Sequence, residues 1–186
     1  MPVVISMLRG VNLGPHNRIK MDDLRALYKS LKFEDPRTYV QSGNVLFRTK
    51  GKPSPELAKK IQAAIVRKCG CNPEVILRTT PELRLAVTAN PFAKRSDIVP
   101  GKLLLSFLSA EPGPEAHSTI AKLNQSHKEE LHLQGRELYI YFPDGAGRSK
   151  LPWSSLEKLF KVTGTARNWN SVTKMLEMAE EMEAAG

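Results

Sequence analysis

The chain has 186 residues, 41% hydrophobic and 25% charged, with a formal net charge of +9 at neutral pH. That length suits one ordinary domain or two small packed halves, and the apolar share suffices for a real core. No apolar run reaches the roughly 18 residues a membrane-spanning helix needs, and the start, MPVVISMLRG, lacks the basic stretch and cleavage site of a signal peptide, so a soluble cytoplasmic protein is expected.

Residues 3–8 (VVISML) read as a buried strand. MDDLRALYKSLK then places Leu24, Leu27, Tyr28 and Leu31 at helical spacing, with Asp22 and Asp23 favourably in the first turn. RTYVQSGNVLFRT is two β-rich runs about Ser42-Gly43-Asn44, a hairpin signal. SPELAKKIQAAIVRK predicts a helix with Ser54 as N-cap, Pro55 at its first position and Leu57, Ile61, Ala64 and Ile65 on one face. PEVILRT follows as a strand and TPELRLAVTAN as a capped helix. After a connection over 90–101 the order repeats. A strand over 102–108 leads to a helix through Ile120 and Leu123, then to a hairpin of ELHLQ and ELYIYF around Gln134-Gly135-Arg136. SSLEKLF is a short helix, VTGTA a short strand and NSVTKMLEMAEEME a terminal helix. The expected fold is α+β: two ferredoxin-like βαββαβ motifs, each followed by a helix, over 1–90 and 91–186 and packed as one compact unit.

Charge divides unevenly between these halves. Residues 1–90 hold 16 Lys and Arg against 7 Asp and Glu, whereas 91–186 hold 12 of each. An anionic partner should therefore meet the first half. Right-handed crossovers place the end of the first strand, RGVNLG, on the same rim as the hairpin tip QSGN. In the second half the same rule brings GAGRSK towards RNWN. Glycines at a strand-to-helix junction let backbone amides approach an anion, and Arg9 and Lys20 can supply charge. The two rims are expected to meet, with Arg9, Asn44, Arg148 and Arg167 in shared solvent around one phosphate or carboxylate group.

Other chemistry finds little footing. RGVNLG and GAGRSK match neither a Walker loop nor a dinucleotide fingerprint. Cys69 and Cys71, in KCGC, read as reduced cysteines at a helix end, and the histidines at 16, 117, 127 and 132 form no metal-ligand spacing, so neither metal nor cofactor is expected. His16 stands alone in a polar loop, and Asp144 beside GAGRSK is equally an Asp-Gly turn, so no catalytic residue is assigned. Met175, Met178 and Met182 read as core or interface residues of the last helix.

Four segments together carry a resemblance. LRGVNLG with the following IKM, RTYVQSGNVLF, GRSKL and RNWNSVTKML are similar, in this order and over nearly the whole chain, to a widespread and mostly bacterial family known as domain of unknown function 1697. The resemblance implies two similar ferredoxin-like motifs that exchange their N-terminal strands, and it implies no activity. The family's recurrent polar residues correspond here to Arg9, Asn12, Gly14, Lys20, Gln41, Ser42, Gly43, Asn44, Arg148, Ser149, Lys150, Arg167, Asn168 and Trp169. PHNR at 15–18 departs from the family's Gly-Lys-Asn-like segment, and LPWSSLE replaces a more polar stretch.

The expected function is binding of an anionic ligand, a nucleic acid or a phosphorylated nucleotide, through Arg9, Asn12, Gly14, Lys20, Gln41, Ser42, Asn44, Arg148, Ser149, Lys150, Arg167, Asn168 and Trp169. Two alternatives stand beside it: an enzyme acting on a small phosphorylated metabolite with Asp144 or His16 as proton shuttle, and a protein-interaction module using the acidic, Met-rich last helix. The sequence leaves the oligomeric state open.

Overall fold

The structure, a computed structural model, describes residues 1–151 and 153–186, with the side chains of 153–155 left aside. In chain order it contains β1 (Val3–Leu8), α1 (Met21–Ser30), β2 (Glu34–Tyr39), β3 (Asn44–Arg48), α2 (Pro55–Cys69), β4 (Val75–Thr79) and α3 (Thr80–Thr88). The second series is β5 (Leu103–Leu108), α4 (Glu115–Ser126), β6 (Glu130–Gln134), β7 (Glu137–Tyr141), α5 (Trp153–Phe160), β8 (Gly164–Asn168) and α6 (Trp169–Ala184). The departure from the family at LPWSSLE falls largely on residues 152–155, outside the described positions or side chains.

Two four-stranded antiparallel sheets result, ordered β2-β3-β1-β4 and β6-β7-β5-β8. Each is the ferredoxin-like order, so the twofold βαββαβ plan stands. The exchange of N-terminal strands is not the arrangement here. β1 lies inside the sheet of its own half, with Ile5 opposite Leu46 on one side and Arg78 on the other. Its hydrogen-bonding groups have partners on both edges, which leaves nothing for a trade with β5. That strand is flanked in the same way by β7 and β8.

Local chemistry accounts for the helix starts. Ser54 Oγ accepts the Leu57 N–H at 3.2 Å, with Pro55 at the first helical position. Thr79 and Glu82 form a reciprocal capping box: Thr79 Oγ1 accepts from Glu82 N–H and Glu82 Oε2 accepts from Thr79 N–H. Asn168 Oδ1 accepts from Asn170 N–H and opens α6. β2 is an edge strand, so it tolerates Pro36 and a register shift between Glu34 and Arg37.

The chain divides into two compact units, Met1–Leu85 with Thr173–Gly186, and Ala86–Val172. In the first, all six residues of β1 are buried, which requires cover on both faces. Val4 and Leu8 join Val45, Phe47, Val75 and Leu77 under Leu24, Tyr28, Ile61 and Ile65 of α1 and α2. Ser6 on that face is satisfied by the Tyr28 hydroxyl at 2.7 Å. On the other face Val3, Ile5 and Met7 are buried too, and so are Met175, Ala179 and Met182 of α6. Arg48 on β3 donates to the Met182 carbonyl, and Arg84 on α3 meets Glu180 at 2.8 Å. The methionines of α6 are thus mostly core, as their spacing implied. In the second unit Leu138, Ile140 and Phe142 pack with Ala116, Ile120, Leu156 and Phe160.

The last stretch of α6 changes the charge division. Residues 173–186 contribute one lysine and four glutamates, so the first unit carries a net +6 and the second +3. The excess remains in the first unit but is concentrated away from α6, in the loops and helices on the opposite face of its sheet.

Candidate functional site

In the first unit the two predicted polar segments meet. Leu8 N–H donates to the Gly43 carbonyl at 2.9 Å, bringing the end of β1 against the hairpin tip. Asn12 then holds the loop. Its amide donates to the carbonyls of Gln41 (2.7 Å) and Ile19 (3.0 Å), and its Oδ1 accepts from Ile19 N–H at 2.8 Å. Every hydrogen-bonding atom of that side chain has an internal partner, so Asn12 shapes the site without offering a free amide. Arg18 Nε closes the same loop on the Gly14 carbonyl at 3.2 Å.

Beside this loop lies a groove of about 790 Å³. Of the predicted residues it gathers Asn12, Gly14, Lys20 and Gln41. Arg18, Ile19, Asp23, Lys68 and Cys69 complete it, and sequence reasoning had not placed them there. A signal for the last two existed. β3 and β4 both run opposite to β1, so α2 between them runs along β1, and its final turn returns to the rim where β1 ends. A second groove of about 480 Å³ shares Lys20 and Gln41 with the first and adds Arg25, Thr38 and Val40 among its walls.

Three cations against one carboxylate line the larger groove. Among the described residues, neither the Lys20 nor the Lys68 ammonium has a hydrogen bond or ion pair. Arg25, by contrast, is engaged by Asp22 and Thr38. Burial pushes the Cys69 thiol above its ordinary value, with Cys71 and Asp23 adding in the same direction, so the thiol is protonated at neutral pH. Among the described residues no group of three or more His, Cys, Asp or Glu is placed to hold a metal ion.

Not every predicted residue belongs to this surface. Asn44 is fully buried, its amide donating to Tyr39 O and Ser42 Oγ at 3.1 and 3.0 Å. Its side chain therefore does not point into solvent: as the first residue of β3 it faces inward and closes the hairpin. Arg9 is half-exposed and faces Glu74 at 3.8 Å. Gly43 is needed for space, since its φ is +76° and a Cβ there would lie 2.6 Å from Val11 Cγ2.

Residues 1–139 match the family model described as protein of unknown function, DUF1697. The chain belongs to this family. A conserved bacterial protein, SP0830 from Streptococcus pneumoniae, has a similar structure, with a TM-score of 0.70 and 19% identity over 97% of this chain and 99% of that one. At that identity the likeness establishes the shared fold. No curated protein matches.

In the second unit of this DUF1697 protein, the ends of β7 and β8, the strands that precede GRSK and carry the start of RNWN, flank the start of β5. Leu103 stands opposite Tyr141 at the end of β7, and Leu104 opposite Asn168 at the end of β8. Lys102 Nζ donates to the Pro143 carbonyl at 2.6 Å, and Asn168 Nδ2 to Gly101 O at 2.9 Å. Yet Arg167 is only 7% exposed and donates to Thr165 Oγ1 and Ala166 O. Desolvation pushes its guanidinium down to about 10. It is an internal strut, and the expectation that it points into solvent fails because its side chain folds back along its own strand. Arg78 holds the corresponding position in the first sheet, opposite Ile5 as Arg167 is opposite Leu105, and is likewise buried. Arg148 and Lys150 are exposed, Ser149 Oγ accepts from Leu151 N–H, and Trp169 is half-buried at the start of α6. Asp144 is paired with Lys128 at 3.2 Å, and His16 is exposed. Among the described residues no helix is long and apolar enough to cross a membrane.

Proposed function

We propose that this DUF1697 protein binds a phosphorylated anion, of the size of a nucleotide, in the groove between the β1–α1 loop, the β2–β3 hairpin and the end of α2. The observation that carries the reading is the groove's charge: Arg18, Lys20 and Lys68 converge there with only Asp23 to oppose them, and both ammonium groups lack protein partners among the described residues. A volume of about 790 Å³ suits a ligand of that size. The adjoining groove, continuous through Lys20 and Gln41, gives a longer phosphate backbone somewhere to run, which supports a nucleic-acid strand as the second reading.

Cys69 offers a direct test, because it lines the groove while Cys71 is buried. AMP is expected to slow alkylation of Cys69 and to raise the unfolding midpoint, and Lys20→Ala to remove both effects. Absence of protection by AMP and by short oligonucleotides overturns the proposal. Salt separates the two readings: affinity for a strand falls steeply, roughly in proportion to the phosphates neutralised, and that for AMP only shallowly.

A further inference from the structure

The two sheets share one register, and the match shows where the second unit differs. Ser6 stands between Val45 and Leu77 in the first sheet, and Ser106 between Leu138 and Ala166 in the second. Two residues further on, Leu8 opposes Val75 and Leu108 opposes Gly164. In the first unit Val75 and Leu77 are buried in one cluster with Ile61 and Ile65 of α2, and the Ser6 hydroxyl is bonded to that of Tyr28 at 2.7 Å. The second unit repeats none of this. Glycine and alanine stand in place of the two larger side chains, α4 contains no tyrosine, and α5 has 8 residues where α2 has 15.

A pocket of about 80 Å³ lies under α5 at these positions. Leu108, Leu138, Leu156 and Phe160 are among its walls, and Ser106 and Glu157 are the polar side chains that line it. Ser106 is only 6% exposed, and among the described residues its hydroxyl has no hydrogen-bond partner. Gly164 makes room for that hydroxyl, since a Cβ there would lie 2.8 Å from Ser106 Oγ. A nearly buried hydroxyl facing apolar walls forgoes both water and a protein partner, which is costly and uncommon. A ligand that fills the space and bonds to Ser106 recovers both losses.

We infer that this pocket binds a compact, branched, neutral alcohol of about four carbons, with its methyl groups among the leucines and Phe160 and its hydroxyl on Ser106. Size and shape follow from what is missing. Alanine at 166 lacks the isopropyl end that Leu77 supplies in the first sheet, and a cavity of roughly 150 Å³ already holds benzene, so about 80 Å³ suits a smaller molecule. Charge follows from the walls. The Glu157 carboxylate repels an acid anion, and an ammonium would shed its water against leucine and phenylalanine side chains. The site belongs to the second unit and does not depend on the anion-binding reading of the first.

The test follows the methyl signals of Leu108, Leu138 and Leu156 by NMR in the whole chain, with 2-methylpropan-1-ol as probe. Saturable shifts with a roughly millimolar dissociation constant are expected, as suits a ligand of about five heavy atoms. The anion of 2-methylpropanoic acid carries the same branched carbons and should bind at least about tenfold more weakly. Ala166→Leu introduces the side chain that Leu77 has in the first sheet. It should abolish the shifts and leave the unfolding midpoint equal or higher, because the void is filled. Ser106→Ala should weaken the alcohol by about fivefold, the value of one hydrogen bond. Absence of saturable shifts in the unaltered protein overturns the inference, and so does equal binding of the alcohol and the acid anion. An affinity unchanged in Ala166→Leu or in Ser106→Ala assigns the alcohol to another surface and overturns it as well.

Discussion

The Asn12 side-chain amide donates to the Gln41 carbonyl at 2.7 Å, tying a strand-to-helix loop to a hairpin tip 29 positions later. This one bond joins the two segments whose glycines and polar residues gave the sequence its most distinctive stretches. The same side chain also grips the Ile19 peptide through both its N–H and its carbonyl.

Asn12→Ala should therefore destabilise the first unit by about 2–4 kcal/mol. Three internal hydrogen bonds are lost, each worth roughly 1 kcal/mol net, and alanine is poorly suited to φ 56°. Urea unfolding checks this, with the slope unchanged and the midpoint lowered. A midpoint equal to that of the unaltered protein means the loop is held by something other than Asn12.

Two glycines on the same rim separate strain from crowding. Gly10 and Gly43 share nearly the same φ, 71° and 76°, but only at Gly43 would a Cβ meet Val11 and Leu8, at 2.6 and 2.8 Å. Gly10→Ala is expected to cost about 1 kcal/mol, the left-handed penalty alone. Gly43→Ala should cost about 3 kcal/mol or more and lower soluble yield, because the buried neighbours belong to a packed core. Thermal midpoints of the two variants test the contrast.

Those glycines also illustrate what the sequence makes legible. Turn chemistry, caps and helical periodicity are local, so the element order, the Ser54 cap and the hairpin at Gly43 could all be read from neighbouring residues. Crossover handedness carried the reading one level further and paired RGVNLG with QSGN. Side-chain direction did not follow from the same signals. Asn44 and Arg167 look like surface ligands in a string of polar residues, yet register turns both inward, where they bond to carbonyls and hydroxyls. Lys68 and Cys69 reach the groove only because α2 ends at that rim, a relationship set by sheet topology. The amphipathic pattern of α6 likewise announces that one face is buried, without saying which unit receives it.

Alkaline pH should weaken the fold through Tyr28. Burial raises its phenol well above the ordinary value of 10, while the Ser6 hydroxyl bond offsets this only in part. The neutral form is thus the folded form. Its contribution is complete below about pH 10, and it declines at higher pH as the unfolded chain ionises first, by about 1.4 kcal/mol per pH unit for each such group. Tyr139 acts in the same sense. Tyr28→Phe should make the decline above pH 10 shallower while costing about 1–2 kcal/mol near neutrality, because Ser6 loses its partner. Urea titrations across this range, run on both proteins, give the two slopes.

The last prediction sets Arg9 against Lys20, the two cations that open and close the first loop. Arg9 stands at the end of β1, where an anion held by the strand terminus would lie, but its guanidinium faces Glu74 at 3.8 Å. A half-exposed ion pair of this kind is worth under about 1 kcal/mol. Lys20 lines both grooves and has no partner among the described residues. Arg9→Ala is therefore expected to leave AMP affinity within about twofold of the unaltered protein, whereas Lys20→Ala should weaken it by roughly tenfold, the value of one charged hydrogen bond. Calorimetry on the two variants decides where the anion lies. If Arg9→Ala loses as much affinity as Lys20→Ala, the phosphate sits at the strand end beside Glu74 and the groove is only its approach.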